Sequence, residues 1–336
     1  MTLEHAPTAY VRVPATSANL GPGFDSFGVA IGRYDDLQAR VTDGPCRVQV
    51  TGVAADDVPR DGSHLVLRAA ARVFSELGET PPALDLTCVN RIPHGGGQGS
   101  SAAATVAGMM LARLLADRGG ELDRSDILRL ATEMEGHPDN VAPAVFGGLT
   151  VSYVRENGTV GCIRHDVDPR IRLVLFTAET HSSTSKARAM LPATVPHADA
   201  AANSAAAAVL LHAMTDEPAY LIDGTVDRLH QRYRAAAMPE SFALVEQLRS
   251  AGIAAVISGA GPSVLAIVDR PLDLRAWTVE GFDAAEWSVD QVGVVGARNP
   301  LPDGTDPDPG GRAGRSSGST PGSDTARDWQ PVGGLG

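Results

Sequence analysis

Ile92-Pro93-His94-Gly95-Gly96-Gly97-Gln98-Gly99-Ser100-Ser101-Ala102-Ala103-Ala104 leads directly into a run of alanine, methionine and leucine that reaches Leu115 and reads as a helix. Glycines let successive backbone N–H groups converge, and a helix N-terminus adds a partial positive charge, so the stretch reads as a phosphate cradle. No Gly-Lys-Ser/Thr closes it, which excludes the Walker loop. The dinucleotide pattern fits poorly, because no acidic residue closes a nearby βαβ unit. Taken alone, the stretch is also compatible with a glycine-rich turn before an ordinary serine N-cap.

Working outward, the 336-residue chain is long enough for two domains with a real core. Hydrophobic residues make up 43% and charged residues 20%, the balance of a globular protein, while the 4% of aromatics leaves the core to Ala, Val, Leu and Ile. The net charge of −12 argues against nucleic acid or an anionic membrane as partner, although a local arginine cluster still binds anions. Cys46, Cys88 and Cys162 are odd in number and widely spaced, and read as buried thiols in a reducing compartment. With no leader-like segment and no stretch of membrane-spanning length, a cytoplasmic protein is expected.

Strands are expected at 11–14, 37–41, 47–51 and 83–89, and helices at 63–77, 102–116 and 125–135, the last capped by Ser125. After a strand through Tyr153 we expect a domain boundary near Asn157, giving an N-terminal domain over 1–156 and a C-terminal domain over 157–298. The second half mixes strands at 171–176, 255–258 and 264–268 with helices at 185–191, 200–214, 216–224 and 241–250. Without strict alternation this is an α+β pattern. From Asn299 the composition turns to Gly, Pro, Ser, Asp and Thr, so 299–336 is expected to be a disordered tail.

Besides the glycine-rich loop, four segments carry chemistry. Pro14-Ala15-Thr16-Ser17-Ala18-Asn19-Leu20-Gly21-Pro22-Gly23-Phe24-Asp25 offers an amide and a carboxylate around a turn, an arrangement suited to an ammonium group. Glu133-Met134-Glu135-Gly136-His137-Pro138-Asp139-Asn140 packs carboxylates, an imidazole and an amide together, and a glutamate there with a loop serine could serve a Mg2+-nucleotide. In Thr184-Ser185-Lys186-Ala187-Arg188, a cation in the first turn of a helix calls for an anionic partner. Arg234 is a second candidate for such an anion. Ile257-Ser258-Gly259-Ala260-Gly261-Pro262-Ser263 lacks bulky side chains and permits close backbone approach.

In their order, Pro-Ala-Thr-Ser-Ala-Asn-Leu-Gly-Pro-Gly-Phe-Asp from Pro14, Gly-Gln-Gly-Ser-Ser-Ala-Ala-Ala from Gly97 and Ser-Gly-Ala-Gly-Pro-Ser from Ser258 resemble the three signatures of the GHMP kinases. Together with Glu135-Gly136-His137-Pro138-Asp139-Asn140-Val141-Ala142-Pro143, the first is similar to the members that phosphorylate homoserine. The resemblance spans roughly residues 10–270. It implies a two-domain α+β fold with a ferredoxin-like C-terminal domain. It also implies transfer of the ATP γ-phosphoryl group to the side-chain hydroxyl of L-homoserine in threonine biosynthesis, with Mg2+, and homodimers are common in such families.

Carried onto this chain, the resemblance puts Pro93, His94, Gly95, Gly96, Gly97, Gln98, Gly99, Ser100 and Ser101 around the ATP phosphates and His64 toward the base. Ser101 (or Ser100) and Glu135 would meet Mg2+. Asn19, Asp25, His137 and Asn140 would hold the amino and hydroxyl ends of homoserine, and Arg188 and Arg234 its carboxylate. Thr184 would lie beside the transferred group. The catalytic set implied is Asn19, Asp25, Thr184 and Arg188, with no compelling general base and Asp25 as the runner-up for that role. Two departures stand out: Gln98 where the family loop usually has leucine, and His64 where an asparagine often contacts the base. A mevalonate-like kinase and a catalytically idle regulator of the same fold remain as rivals.

Overall fold

The structure, a computed structural model, describes residues 6–180 and 184–299. β1 (Thr8–Ala18) and β2 (Phe27–Thr42) are antiparallel and form the spine of the first sheet. The expected strand at 11–14 therefore continues to Ala18, because Thr16 and Ser17 pair with Ala30 and Val29. Ala-Thr-Ser-Ala lacks the alternation that marks a strand, and its fully buried hydroxyls are satisfied only by distant parts of the chain.

β3 (Arg47–Gly52) and β4 (Ala83–Asn90) run parallel and are joined through α1 (Leu65–Glu76), the crossover that a parallel pair requires. α2 (Ser100–Leu115) is buried on most sides, as its apolar run predicts. It packs closely on α1 because Gly108 has no side chain: a Cβ there would stand 2.2 Å from the Val66 carbonyl oxygen. α3 (Arg124–Glu135) begins one residue before the expected cap. Asp123 caps it instead of Ser125, in a capping box with Asp126. α4 (Val141–Phe146) and the hairpin of β5 (Leu149–Val154) with β6 (Val160–His165) follow.

The second sheet comprises β7 (Arg172–Ala178), β8 (Ala254–Ile257), β9 (Val264–Val268) and β10 (Phe282–Trp287) in the order β10-β7-β9-β8, all antiparallel. Between β7 and β8 lie α5 (Thr184–Ala189), α6 (His197–Thr215), α7 (Leu221–Gly224), α8 (Gln231–Arg234) and α9 (Pro239–Ser250). Val174, Phe176, Ile257, Val264 and Ala266 form one face, covered by Leu244, Val245 and Leu248 of α9. Leu173, Leu175, Leu265 and Ile267 on the other face are buried too, so these strands read as continuous apolar runs.

The chain then returns to the first sheet as β11 (Val295–Arg298), which pairs with β1. Likewise Asn157 falls in the turn between β5 and β6, and β6 still belongs to the first sheet. β6, β10 and β11 carry no sequence signal strong enough to have been expected. The described chain clusters as one compact unit. Residues 300–336 of the expected tail lie outside the described residues.

Candidate active site

The phosphate loop is shaped by backbone. Gly95, Gly97 and Gly99 take φ of +64°, +73° and +67°, where side chains are disfavoured. At Gly97 a Cβ would stand 2.3 Å from the Ser258 carbonyl oxygen, and at Gly99 1.9 Å from Thr16 Oγ1. The loop is thus pressed between β1 and the turn after β8. Ser258 Oγ donates to the Gly97 carbonyl at 2.6 Å and pairs with Ser17 Oγ at 2.8 Å, while Thr16 N–H donates to the Gln98 carbonyl at 3.1 Å.

Over the loop lies a cavity of about 300 Å3 lined by Pro93, Gly95–Ala102, Glu135, His137, Asn140 and Gly259–Gly261. A second cavity, of about 250 Å3, shares Gly95, Ser100 and Ser101 with it and adds Asp35, Leu37, His64, Leu65, Cys88, Asn90 and His94. The pair has the shape a nucleotide requires, with a polar end rich in backbone donors and a more apolar end. His64 Nδ1 is buried without a partner, and burial pushes the imidazole pKa down, so a neutral ring with one free polar atom lines this cavity. Asp35 Oδ1 accepts from the N–H groups of Arg91 (2.5 Å) and Ile92 (2.9 Å), anchoring the start of the loop. Burial pushes Asp35 up to about 6.

α3 ends beside the first turn of α2. Glu135 Oε1 accepts from Ser101 Oγ at 2.9 Å and from Thr105 Oγ1 at 2.7 Å, so one carboxylate and two hydroxyls meet at the wall of the phosphate cavity. This is hard-oxygen chemistry, suited to Mg2+. Among the described residues no group of three or more His, Cys, Asp or Glu could hold a metal ion. Asn140 Oδ1 accepts from Thr16 Oγ1 at 2.9 Å next to Gly99. His137 Nδ1 lies 2.9 Å from Asp139 Oδ1, and this hydrogen bond raises the pKa of the ring.

The first loop supplies the other half of the site. Asn19, Leu20 and Asp25 all take positive φ (+69°, +47° and +56°), a local strain that points to a functional loop. Asn19 Nδ2 donates to the Gly259 carbonyl and its Oδ1 accepts from Asp25 N–H, both at 2.9 Å. Its amide therefore clamps this loop to the turn lining the phosphate cavity, keeping one hydrogen and one lone pair for other partners.

Arg188, from α5, grips Asp25 with two hydrogen bonds of 2.8 and 2.7 Å. Phe24 lies beneath two guanidiniums, with Arg188 Cζ 5.5 Å and Arg234 Cζ 5.2 Å from its ring centre. Arg234 is 3% exposed, and its Nε has no partner. Burial, and then nearby Arg188, lowers its pKa, as expected of a guanidinium that lacks an anion. His230, stacked on Phe24 with ring centres 5.0 Å apart, lies 3.4 Å from Arg234 NH1 and 2.9 Å from the Gly21 carbonyl.

The sequence-derived residues from the two halves of the chain thus meet around one cleft. Thr184 opens α5, but its side chain lies outside the described residues. Phe24 and His230 join this cluster although the sequence marks neither as a site residue. Phe24 stood inside a quoted motif, and His230 precedes Arg234 by one helical turn, but neither spacing is diagnostic.

A phosphate cradle at a helix N-terminus, a hard-oxygen pair and a two-sheet α+β frame define an ATP-dependent small-molecule kinase, and the chain matches the GHMP kinases N terminal domain over 64–148 and the GHMP kinases C terminal domain over 206–277. It is 48% identical over 291 residues to a homoserine kinase of Streptomyces coelicolor, covering 86% of this chain and 93% of that protein. With a homoserine kinase of Streptomyces avermitilis it shares 51% identity over 292 residues, covering 86% and 95%. A crystal structure of homoserine kinase from Cytophaga hutchinsonii superimposes with a TM-score of 0.74 at 26% identity, over 86% of this chain and 97% of that one. The chain belongs to the homoserine kinase family of the GHMP kinases.

Proposed function

We infer that this chain transfers the γ-phosphoryl group of ATP to the side-chain hydroxyl of L-homoserine, giving O-phospho-L-homoserine in threonine biosynthesis. The observation that carries the reading is the Asp25–Arg188 pair beside the buried, incompletely partnered Arg234, next to the phosphate cavity. An α-amino acid is a zwitterion. Its ammonium replaces Arg188 on Asp25, and its carboxylate takes the two guanidiniums, a fork geometry that suits arginine. A mevalonate-like substrate has no amine to leave Asp25 paired. An idle regulator has no need of Ser101 and Glu135 joined at the cavity wall.

Phosphoryl transfer passes through a loose, anionic transition state, so the protein mainly positions groups and neutralises charge. In this reading the N–H groups of Gly95–Ser101 and the start of α2 receive the phosphates, and His64 meets the base. Ser101 and Glu135 would hold Mg2+, which when bound neutralises phosphate charge. Asn19 keeps Asp25 in place, and His137 and Asn140 hold the acceptor hydroxyl toward the loop. Arg188 adds positive charge beside the transferred group, where Thr184 also belongs. The N-terminal domain comprises the first sheet, including β6 and β11, and the C-terminal domain the second.

We read the protein as cytoplasmic; homodimers are common in families it resembles, and light scattering distinguishes a monomer from a dimer at twice the chain mass. Its three cysteines are free, although only Cys88 is fully buried, and no described helix is long and apolar enough to cross a membrane.

The test is coupled ADP release with ATP, Mg2+ and L-homoserine, run against mevalonate, galactose and L-serine. Turnover confined to homoserine supports the reading. Turnover with mevalonate, or none despite ATP binding, overturns it.

A further inference from the structure

The glutamine in the phosphate loop has a structural job that its aliphatic counterpart could not do. Gln98 is 1% exposed, and both ends of its amide are engaged. Oε1 accepts from Arg33 NH1 at 3.1 Å, and Nε2 donates to Thr177 Oγ1, on β7, at 3.0 Å. Arg33 reaches it because β2 bulges there. Pro14 pairs with Tyr34 but Ala15 with Ile31, which leaves Gly32 and Arg33 as extra residues on β2. Bulges of this kind re-aim side chains near active sites.

The bulge is itself held from the last residue of β10 and the one after it. Gly32 N–H donates to the Ser288 carbonyl at 2.9 Å, and the Arg33 guanidinium lies 5.5 Å from the centre of the Trp287 ring. Three segments thus meet at one amide, the β2 bulge, the phosphate loop and β7, and the end of β10 packs on the bulge. β7 is also the strand that leads to α5 and Arg188.

We propose that Gln98, held between Arg33 and Thr177, is a positioning residue for ATP, fixing the phosphate loop against the second sheet. The side chain acts through the loop backbone and touches no reacting atom. The proposal rests on the kinase reading above. It assigns Arg33 as the residue that makes a polar side chain at position 98 necessary: with leucine there, a half-buried guanidinium loses its acceptor, and leaving such a group unmade is the costly half of a hydrogen bond. Removing both partners together is milder, because no guanidinium is then left without its acceptor and only the Thr177 hydroxyl loses a donor.

The experiment compares wild type with Gln98→Leu, Arg33→Met and the double variant, measuring KM for ATP, KM for homoserine, and affinity for a fluorescent ADP analogue. Gln98→Leu is expected to raise KM for ATP and the analogue dissociation constant about tenfold, with KM for homoserine within about twofold of wild type. The double variant is expected to return to within about threefold of wild type. An unchanged KM for ATP in Gln98→Leu overturns the proposal, as does a double variant no better than the single one. If Gln98→Leu does not fold, Thr177→Val cuts only the bond to β7. A rise of about threefold in KM for ATP then supports the proposal, and no change overturns it. Analogue binding reads the loop without any acceptor, so failure of the homoserine assignment is separable from failure of this one.

Discussion

The phosphate loop and the proposed amino-acid site are neighbours made in opposite ways. The loop is contiguous, and its shape comes from three glycines at positive φ and the start of α2. What it presents is mainly backbone. The proposed amino-acid site is assembled from Asp25, Arg188, Arg234 and the Phe24–His230 stack, which come from three distant segments, and what it presents is side-chain charge. Contiguous backbone sites feel a side-chain change only where it moves the backbone. Charge constellations tolerate backbone adjustment but not the loss of a partner.

The contrast breaks most sharply at Gly97. Gly97→Ala puts a methyl group against the Ser258 carbonyl at a φ that alanine resists. Displacing a phosphate cradle by about 1 Å is worth about 100-fold, so kcat/KM for ATP should fall by at least that much, with circular dichroism unchanged. Near-normal kinetics with ATP would show that the loop tolerates a new backbone shape.

On the pocket side, Asp25→Asn keeps the shape and deletes the charge. KM for homoserine should rise about 30-fold, while kcat and KM for ATP stay within about threefold of wild type. A large loss of kcat at saturating homoserine would instead make Asp25 the proton acceptor.

The smallest effect sharpens the comparison through pH. Asp35 lies at the base end of the loop, and burial raises it from 3.8 to about 6, so the folded state holds its proton more firmly than the unfolded chain does. The stabilisation from that proton is complete below the unfolded value and is lost as pH rises through about 6. Asp35→Asn, still able to accept both N–H bonds, should therefore gain about 1–2 kcal/mol on wild type between pH 4 and pH 7 in urea titrations. A pH-independent difference would show that Asp35 is better solvated than its position implies.

How much of this was legible follows the same division. The sequence motif near residue 100 gave a cradle and a helix, both of which are present, because a glycine run before an apolar run constrains its own backbone. Gln98 was readable only as a departure, since its partners Arg33 and Thr177 stand 65 and 79 residues away. The division expected near Asn157 met a hairpin instead, because no local pattern reveals that β6 and β11 return to the first sheet.

By itself the sequence determined the α+β class, the family signatures, the phosphate loop and the identity of the charged residues, all of which depend on local propensity and residue chemistry. Only the tertiary structure decided which of those residues meet. It brought Ser101 onto Glu135, Asn19 onto Gly259 and Arg188 onto Asp25, and it left Arg234 buried with its Nε unpartnered. Such contacts are set by sheet pairing and core packing across hundreds of residues, and no window of neighbours along the chain contains that information.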